Sequence, residues 1–522
     1  MANRTPAPFV HVDAATAENA RRQGRDPHKL EQSSKFVLCF LDASLPDPPV
    51  NANALLSALP GPDTSGDDRI SALPFALLRN IVSRLPAKDA VRTAVLSRRW
   101  RPVWRCSLLV FTDIHLLPRR HHPTRADTPG LVAAISRVLA THPGPFRSVH
   151  LVCGYLDAHR LQLARWVQRL ADKGVQELVL VNRPFPLDVP LPAALFDIGT
   201  LTRLYLGIWK FPDTSALARG RAVPFPNLRE LVLCTIDMES RDLDYLLASS
   251  PVLETLGILG SKKGVRLRLT SQHLRCVQIS FCQVEGIHVV DCPNLERLFL
   301  WGFMDEGACG IRFKIGHAPK LHQLGFLEPG VHMLEIGNTV INPLTNSGIK
   351  ASPSSMAYGV KILGVHMRFG VHNDARMLHP FLRCFPNVET LHIMSAESTE
   401  VTGKVNLKFW EEAGPIKCIQ GIKSMSFCEF QGKRSEVSFL KFFFQNAKAL
   451  KNAVVMVSKG RFTSIGEMIS KVESLTPEKW ASRGCSLLVC ENKAEGGDLW
   501  SFRGGLDLFV NDPFVEVKSL FV

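Results

Sequence analysis

Pro226-Asn227-Leu228-Arg229-Glu230-Leu231-Val232-Leu233 holds the pattern on which the fold turns: three apolar residues at i, i+3 and i+5, behind a proline two residues upstream. Outward from it, the same spacing recurs towards the N-terminus at Leu201-Leu204-Leu206, Val175-Leu178-Leu180 and Phe146-Val149-Leu151. Towards the C-terminus it recurs at Leu253-Leu256-Ile258, Leu274-Val277-Ile279, Leu295-Leu298-Leu300 and Leu321-Leu324-Phe326. Later copies stand at Val388-Leu391-Ile393 and Ile422-Met425-Phe427, with a weaker one at Val360-Leu363-Val365. In a chain that is 46% hydrophobic a single copy means little. The spacing is the signal: the first eight copies start 29, 26, 27, 25, 21, 21 and 26 residues apart.

That interval matches the period of roughly 20–29 residues of leucine-rich repeats. Pro226, Pro251, Pro293, Pro319 and Pro386 each precede a first apolar position by two residues. A proline there ends the preceding turn or helix and lets a strand begin. Regular repeats of this kind place Asn or Cys three positions after the last apolar residue, and here only Cys282 and a few polar stand-ins do so. The expectation is therefore an irregular, less uniformly curved solenoid over 106–400.

The 522 residues carry a formal charge of +14, with a sequence pI near 9.3 and a mean hydropathy of +0.05. Residues 1–66 hold six basic and seven acidic side chains, and residues 67–105 hold nine basic and three acidic ones. The remaining excess is spread over more than four hundred residues, as on a solvated surface, so nucleic acid is not the expected main partner. The 13 cysteines form no Cys-x-x-Cys pair. They read as buried hydrophobes in a reducing compartment, the nucleus or cytoplasm. Met1–Val12 has no apolar signal core, and no stretch approaches the ~18 uninterrupted apolar residues of a membrane span.

Residues 1–66, rich in Ala, Pro, Asp and Ser apart from an apolar patch at Phe36–Leu41, read as a disordered extension or linker. The character changes at Asp67. Leu73, Leu77, Leu78, Ile81 and Leu85 follow one helical face, with Ser71 as the expected cap, Pro74 in the first turn and Pro86 as the stop. A second helix is predicted over Lys88–Leu96, before Arg98, Arg99, Arg101 and the tryptophans Trp100 and Trp104. About forty residues cannot bury these faces alone, and a partner is implied. Near the other end a strand through Phe427–Gly432, a helix over Glu436–Lys451 capped by Ser435 and a strand at Ala453–Val457 predict an α/β cap on the array.

The runs Asp68-Arg69-Ile70-Ser71-Ala72-Leu73-Pro74, Leu77 to Pro86 and Asp89 to Arg101, followed by Trp104, resemble the F-box motif. Thr93 and Leu96-Ser97-Arg98-Arg99-Trp100 resemble its plant form. Cys418 to Leu450, with Phe430-Gln431-Gly432 and Asn446-Ala447-Lys448-Ala449-Leu450, resembles the FBD region that ends many plant F-box/leucine-rich-repeat proteins. The resemblance implies an α/β chain with a disordered extension at 1–66, a three-helix F-box at 67–105, repeats at 106–400, an α+β FBD cap at 401–495 and a strand or tail at 496–522. It implies a Skp-family adaptor as partner, through it a cullin and a RING subunit, and a target protein held by the repeats. The adaptor contact it implies uses Leu73, Pro74, Leu77, Leu78, Ile81, Leu85, Pro86, Val91, Val95, Leu96, Trp100 and Trp104, of which Ile81 and Val95 are the first expected to pack the helices together instead. The alternatives are an adaptor-bound regulator outside a ligase and a basic repeat scaffold for nucleic acid.

Nothing here calls for catalytic, cofactor or metal residues. Gly-x-Ser-x-Gly, phosphate-loop, Gly-x-Gly-x-x-Gly and His-Glu-x-x-His motifs are absent from the sequence. Cys485 with Cys490, and Cys276, Cys282 and Cys292, lack partners at zinc spacing and read as structural thiols. His121-His122 beside Arg119-Arg120 reads as a loop. Trp209, Trp301 and Phe303 read as core or edge packing first and as binding anchors second.

Overall fold

The last two residues of each apolar triplet lie in a strand of the computed structural model, which describes residues 17, 18, 21, 22, 24, 26–50, 69–117, 123–183, 189–214, 223–261, 263–302, 310–343, 356–396, 416–458, 480–491 and 502–514. The chain divides into two units, Met1–Lys263 and Gly264–Val522. In the first unit β1 (Leu109–Thr112), β2 (Phe146–Leu151), β3 (Val175–Val181), β4 (Arg203–Lys210), β5 (Glu230–Asp237) and β6 (Thr255–Leu259) lie in sequence order. All are parallel. The middle apolar position forms one row across them, Val149 beside Leu178, Leu204, Leu231 and Leu256. Helices Thr128–Thr141 and Arg160–Lys173 connect the early strands, burying Leu131, Ile135 and Leu139 from one and Leu163, Trp166, Val167 and Leu170 from the other.

The second unit begins with β7 (Val265–Thr270), β8 (Cys276–Ser280), β9 (Val284–Asp291), β10 (Arg297–Trp301), β11 (Arg312–His317), β12 (Gln323–Leu327), β13 (Met333–Ile336) and β14 (Thr339–Ile341). It continues with β15 (Ile362–Met367), β16 (Thr390–Ser395), β17 (Ser424–Phe430), β18 (Asn452–Val457) and β19 (Ser486–Glu491). Strands β8, β10, β12, β15, β16, β17, β18 and β19 form a parallel run in that order. Its central row is Val277, Leu298, Leu324, Leu363, Leu391, Met425, Ala453 and Leu487, so the weak copy at 360–365 takes its full place. Here the array is irregular, as expected. The copies at 253, 274 and 295 are 21 residues apart, and β7 and β9 fill those intervals in place of a helix. With β11, β13 and β14 from the longer intervals that follow, they form a second sheet, β14-β13-β11-β9-β7. Strand β7 alternates buried and exposed residues, as a strand with one wet face does.

Strand starts repeat one device. The amides of Arg229 and Glu230 both bond the Thr202 carbonyl, those of Glu254 and Thr255 the Arg229 carbonyl, and the same fork recurs from Arg275 to Lys423. Charged side chains ladder along this edge: Glu389 sits between Lys423 at 2.6 Å and Lys361 at 2.9 Å. Their hydrogen bonds hold its carboxyl down at about 2. Much of the diffuse charge is thus paired at the surface.

Three expectations are corrected. Residues 27–44 are an 18-residue helix, not a linker. Pro27 opens it, the Asp26 carboxylate accepts the His28 amide at 2.9 Å, and Leu30, Leu38 and Leu41 are buried. Leu41 lies where a Cβ on Gly207 would come within 2.5 Å of it, and Ser44 and the Tyr205 hydroxyl share a hydrogen bond of 2.6 Å. The cap helix spans Arg434–Asn446, with Phe439, Leu440, Phe443 and Phe444 inside and Lys441 and Gln445 outside. Ser435 does not cap it: the Glu436 carboxylate accepts the amides of Lys433 (2.9 Å) and Gln431 (3.1 Å) and the Ser395 hydroxyl (2.5 Å). Among the described residues of the C-terminal stretch, Phe502–Leu506 is a helix and no strand is present.

Two buried histidines make the fold acid-sensitive. Burial, with Arg203 and His115 adding to it, pushes His150 down to about 4. Burial also pushes His332 down to about 4, against the opposing pull of Glu328. The Glu328 amide donates to His332 Nδ1 at 3.0 Å, which requires the neutral ring. Both rings stay neutral in the fold while the unfolded chain takes up protons below about 6.5. Their contribution is intact above that pH and is lost as pH falls toward about 4, by on the order of 3 kcal/mol each. Unfolding of His332→Gln followed from pH 7 to about 4 should show a flatter acid limb than the unsubstituted chain; parallel limbs would refute the assignment.

Candidate functional site

The segment from Ile70 to Ser107 builds its shape around two prolines. Pro74 precedes helix Phe75–Val82 and its carbonyl accepts the Leu77 and Leu78 amides; Pro86 does the same for helix Ala87–Arg92 through Asp89 and Ala90. Each proline is thus the residue before its helix and not part of the first turn. A short 3-10 turn, Thr93–Val95, and helix Val103–Cys106 complete the unit.

Its inside is Leu78, Val82, Ala90, Trp100, Val103 and Trp104. Ser71 caps no helix; its hydroxyl accepts the Trp100 indole N–H at 2.7 Å. Arg99 donates to the Leu73 carbonyl at 2.6 Å, tying the third segment to the first. Trp104 stands 5.6 Å from the His142 ring, which lies 5.1 Å from Phe146 of β2. His142 Nε2 is also 3.0 Å from the Trp104 carbonyl, and Pro86 bridges to Val110. The unit is therefore fastened to the first strands.

Its outside carries an unusual number of apolar side chains among charged ones. Ile70, Phe75, Leu77, Ile81, Val91, Val95 and Leu96 are exposed, Val95 by 85% and Leu96 by 64%. They are half of the large hydrophobic side chains exposed among the described residues. Scattered exposed leucines are ordinary, whereas seven within 27 residues mark a surface that another protein covers. Leu77 and Ile81 are four residues apart in helix Phe75–Val82 and share its face, while Val91 ends one helix and Val95 closes the 3-10 turn after it.

The twelve expected contact residues divide on burial. Leu77, Ile81, Val91, Val95, Leu96 and Pro74 lie outside, Leu73 and Leu85 are half-buried, and Leu78, Pro86, Trp100 and Trp104 are buried. Ile81 and Val95, first expected to pack the helices together, do not. Leu78, Trp100 and Trp104 do so instead, because the two indoles find partners inside the unit. Ile70 and Phe75, outside the twelve, are exposed as well; Phe75 to Leu78 is apolar throughout, and periodicity alone cannot assign its faces. Arg98, Arg99 and Arg101 are exposed around this surface.

Elsewhere, Trp209 is fully buried in β4 with its indole N–H on the Leu180 carbonyl at 2.9 Å, and Trp301 lies partly buried in β10. Phe303 and residues 119–122 lie outside the described residues. Cys276, Cys282 and Cys292 are buried, and burial raises the Cys485 and Cys292 thiols above their ordinary range. Among the described residues no group of three or more His, Cys, Asp or Glu could hold a metal ion, and no helix is long and apolar enough to cross a membrane.

Three family models match the chain: the F-box domain at residues 70–111, the LRR repeats of FBD-associated F-box protein At5g56370 at 163–393, and FBD at 411–455. Among Arabidopsis thaliana relatives, F-box/LRR-repeat protein At3g26922 is 29% identical over 49% of this chain and 80% of its own. F-box/FBD/LRR-repeat protein At1g13570 is 32% identical over 46% of this chain and 55% of its own. FBD-associated F-box protein At4g10400 is 24% identical over 80% of this chain and 99% of its own. A solved LRR protein of Leptospira interrogans aligns over 71% of this chain and 92% of its own, at 12% identity and a TM-score of 0.25, too loose a match to carry an argument.

Proposed function

From the F-box, leucine-rich repeats and FBD region that this chain carries in that order, we propose that it is the target-choosing subunit of a Skp–cullin–F-box ubiquitin ligase. The observation that carries this reading is the exposed apolar face of residues 70–96 on a unit whose interior is already complete. Such a face loses water only when a partner covers it, at roughly 25 cal/mol per Å² of apolar area. A Skp-family adaptor is the proposed partner there. Through it the chain joins a cullin and a RING subunit, in the nucleus or cytoplasm. The repeats hold a target protein, and the ligase acts by raising the concentration of the target's lysines near activated ubiquitin. This chain supplies position and no reacting group.

Capture of purified adaptor by the full chain tests the reading. An apolar contact holds as salt rises from about 0.1 to about 1 M, whereas a phosphate contact collapses over that range. The expected result is salt-tolerant capture of adaptor and, through it, of cullin. Adaptor captured without cullin would favour a regulator outside a ligase. Salt-sensitive capture of nucleic acid without adaptor would replace the reading with a basic scaffold.

A further inference from the structure

Residues 502–514 cross the face of the second unit's parallel strands, and the way they are held describes a binding groove. Cys276 of β8 donates its thiol to the Gly505 carbonyl at 3.5 Å. Arg297 of β10, 3% exposed, donates to three carbonyls, those of Asp507 (2.8 Å), Leu508 (3.1 Å) and Val510 (2.6 Å). Gln323 of β12 donates to the Asn511 carbonyl at 2.7 Å. Cys276, Arg297 and Gln323 are direct neighbours across the strands, so the segment follows one row of side chains. Beyond it, His392 Nε2 of β16 lies 2.9 Å from the Asp512 carboxylate, while His392 Nδ1 lies 2.5 Å from Ser426 Oγ.

The row ends in an aromatic slot. Phe514 packs edge-on against Phe299 (5.2 Å) and Phe326 (4.9 Å) and stacks on His392 (5.1 Å). Gly364 of β15 makes room: a Cβ there would come within 2.9 Å of the Phe514 ring. The occupant is not knitted in like a core strand. Phe509 is 95% exposed, Asp507 and Asn511 are exposed, and five of the contacts go to main-chain carbonyls that any sequence offers. Sequence enters through the Asp512 carboxylate, the Phe514 ring and, less deeply, Leu506 and Leu508, which are partly buried against the same apolar cluster. Main-chain bonds hold a peptide whatever its sequence, and side-chain pockets give the specificity, as in peptide recognition at a sheet edge.

We propose that this face is the target-recognition groove, that residues 502–514 occupy it as a tethered stand-in, and that the target segment displacing them carries an acidic residue two positions before an aromatic one. The inference rests on the reading that the repeats hold a protein target. Because the tethered segment competes at high effective concentration, an external peptide binds the intact chain weakly and a chain with a loosened segment tightly.

A fluorescent peptide of sequence 502–514, titrated onto the full chain, is expected to bind Phe514→Ala at least about tenfold more tightly than the unsubstituted chain. The same peptide with its own Asp512→Asn and Phe514→Ala changes binds neither. Should Phe514→Ala fail to fold, hydrogen exchange on the unsubstituted chain decides: saturating peptide speeds exchange of 502–514 while β10 and β12 stay protected. Absence of peptide binding with unchanged exchange at 502–514 makes the segment a fixed part of the core and overturns the proposal. Adaptor capture by the same samples separates the two readings. Adaptor bound without peptide removes the groove alone, and peptide bound without adaptor removes the ligase assignment alone.

Discussion

Leu77→Asp combined with Leu96→Asp abolishes capture of the Skp-family adaptor and leaves the thermal unfolding of the chain unchanged. Leu77 is 50% exposed and Leu96 64% exposed, so neither substitution opens a cavity and neither buries a charge in the free chain. In the complex both aspartates would be desolvated where the reading places an apolar contact. Well-packed apolar anchors each contribute about 2 kcal/mol when truncated, and two together correspond to a loss of at least about a hundredfold in affinity. Titration of labelled adaptor measures the loss, and a melting curve shows that the fold is retained. Leu73→Ala with Pro74→Ala is less diagnostic, because Leu73 is half-buried and its truncation also loosens the unit itself. A double aspartate variant that still binds adaptor within about threefold would remove residues 70–96 from the contact.

The sequence discloses the repeat rows because their physics is periodic. Leu204, Leu231 and Leu256 must stack if the strands are parallel and evenly spaced, and the copy at Leu363 falls into line although its flanking residues are weak. What it hides is set by contacts between distant residues. Nothing in residues 27–44 announces that Leu41 will meet Gly207, or in Phe514 that Gly364 will accommodate it. The second sheet is hidden likewise, since β11 lies between copies 26 residues apart, a longer interval than the 25 residues that hold helix Ser240–Ala248. In the surface unit, Leu77 and Leu78 are adjacent and equally apolar, and which one faces inward depends on where Trp100 and Trp104 settle. The tryptophans resemble surface anchors by composition, yet Ser71 and the His142 ring give them an interior.

That last distinction yields the second large effect. Leu78 is fully buried, one residue from Leu77, and Leu78→Ala leaves a cavity inside the unit and costs about 2–5 kcal/mol of stability in it. Hydrogen exchange of the amides of Phe75–Val82 and Val103–Cys106 measures it, and the amides of β3 to β5 serve as a reference that should not change. Adaptor capture also falls, but by a different route: the contact surface is intact whenever the unit is folded. Saturating adaptor at about a hundred times its dissociation constant should therefore restore about 2.7 kcal/mol to Leu78→Ala. It restores nothing to the double aspartate variant, whose surface no longer binds. If adaptor fails to protect Leu78→Ala while protecting the unsubstituted chain, Leu78 itself reaches the partner, and the division between the inside and the outside of this unit has to be redrawn.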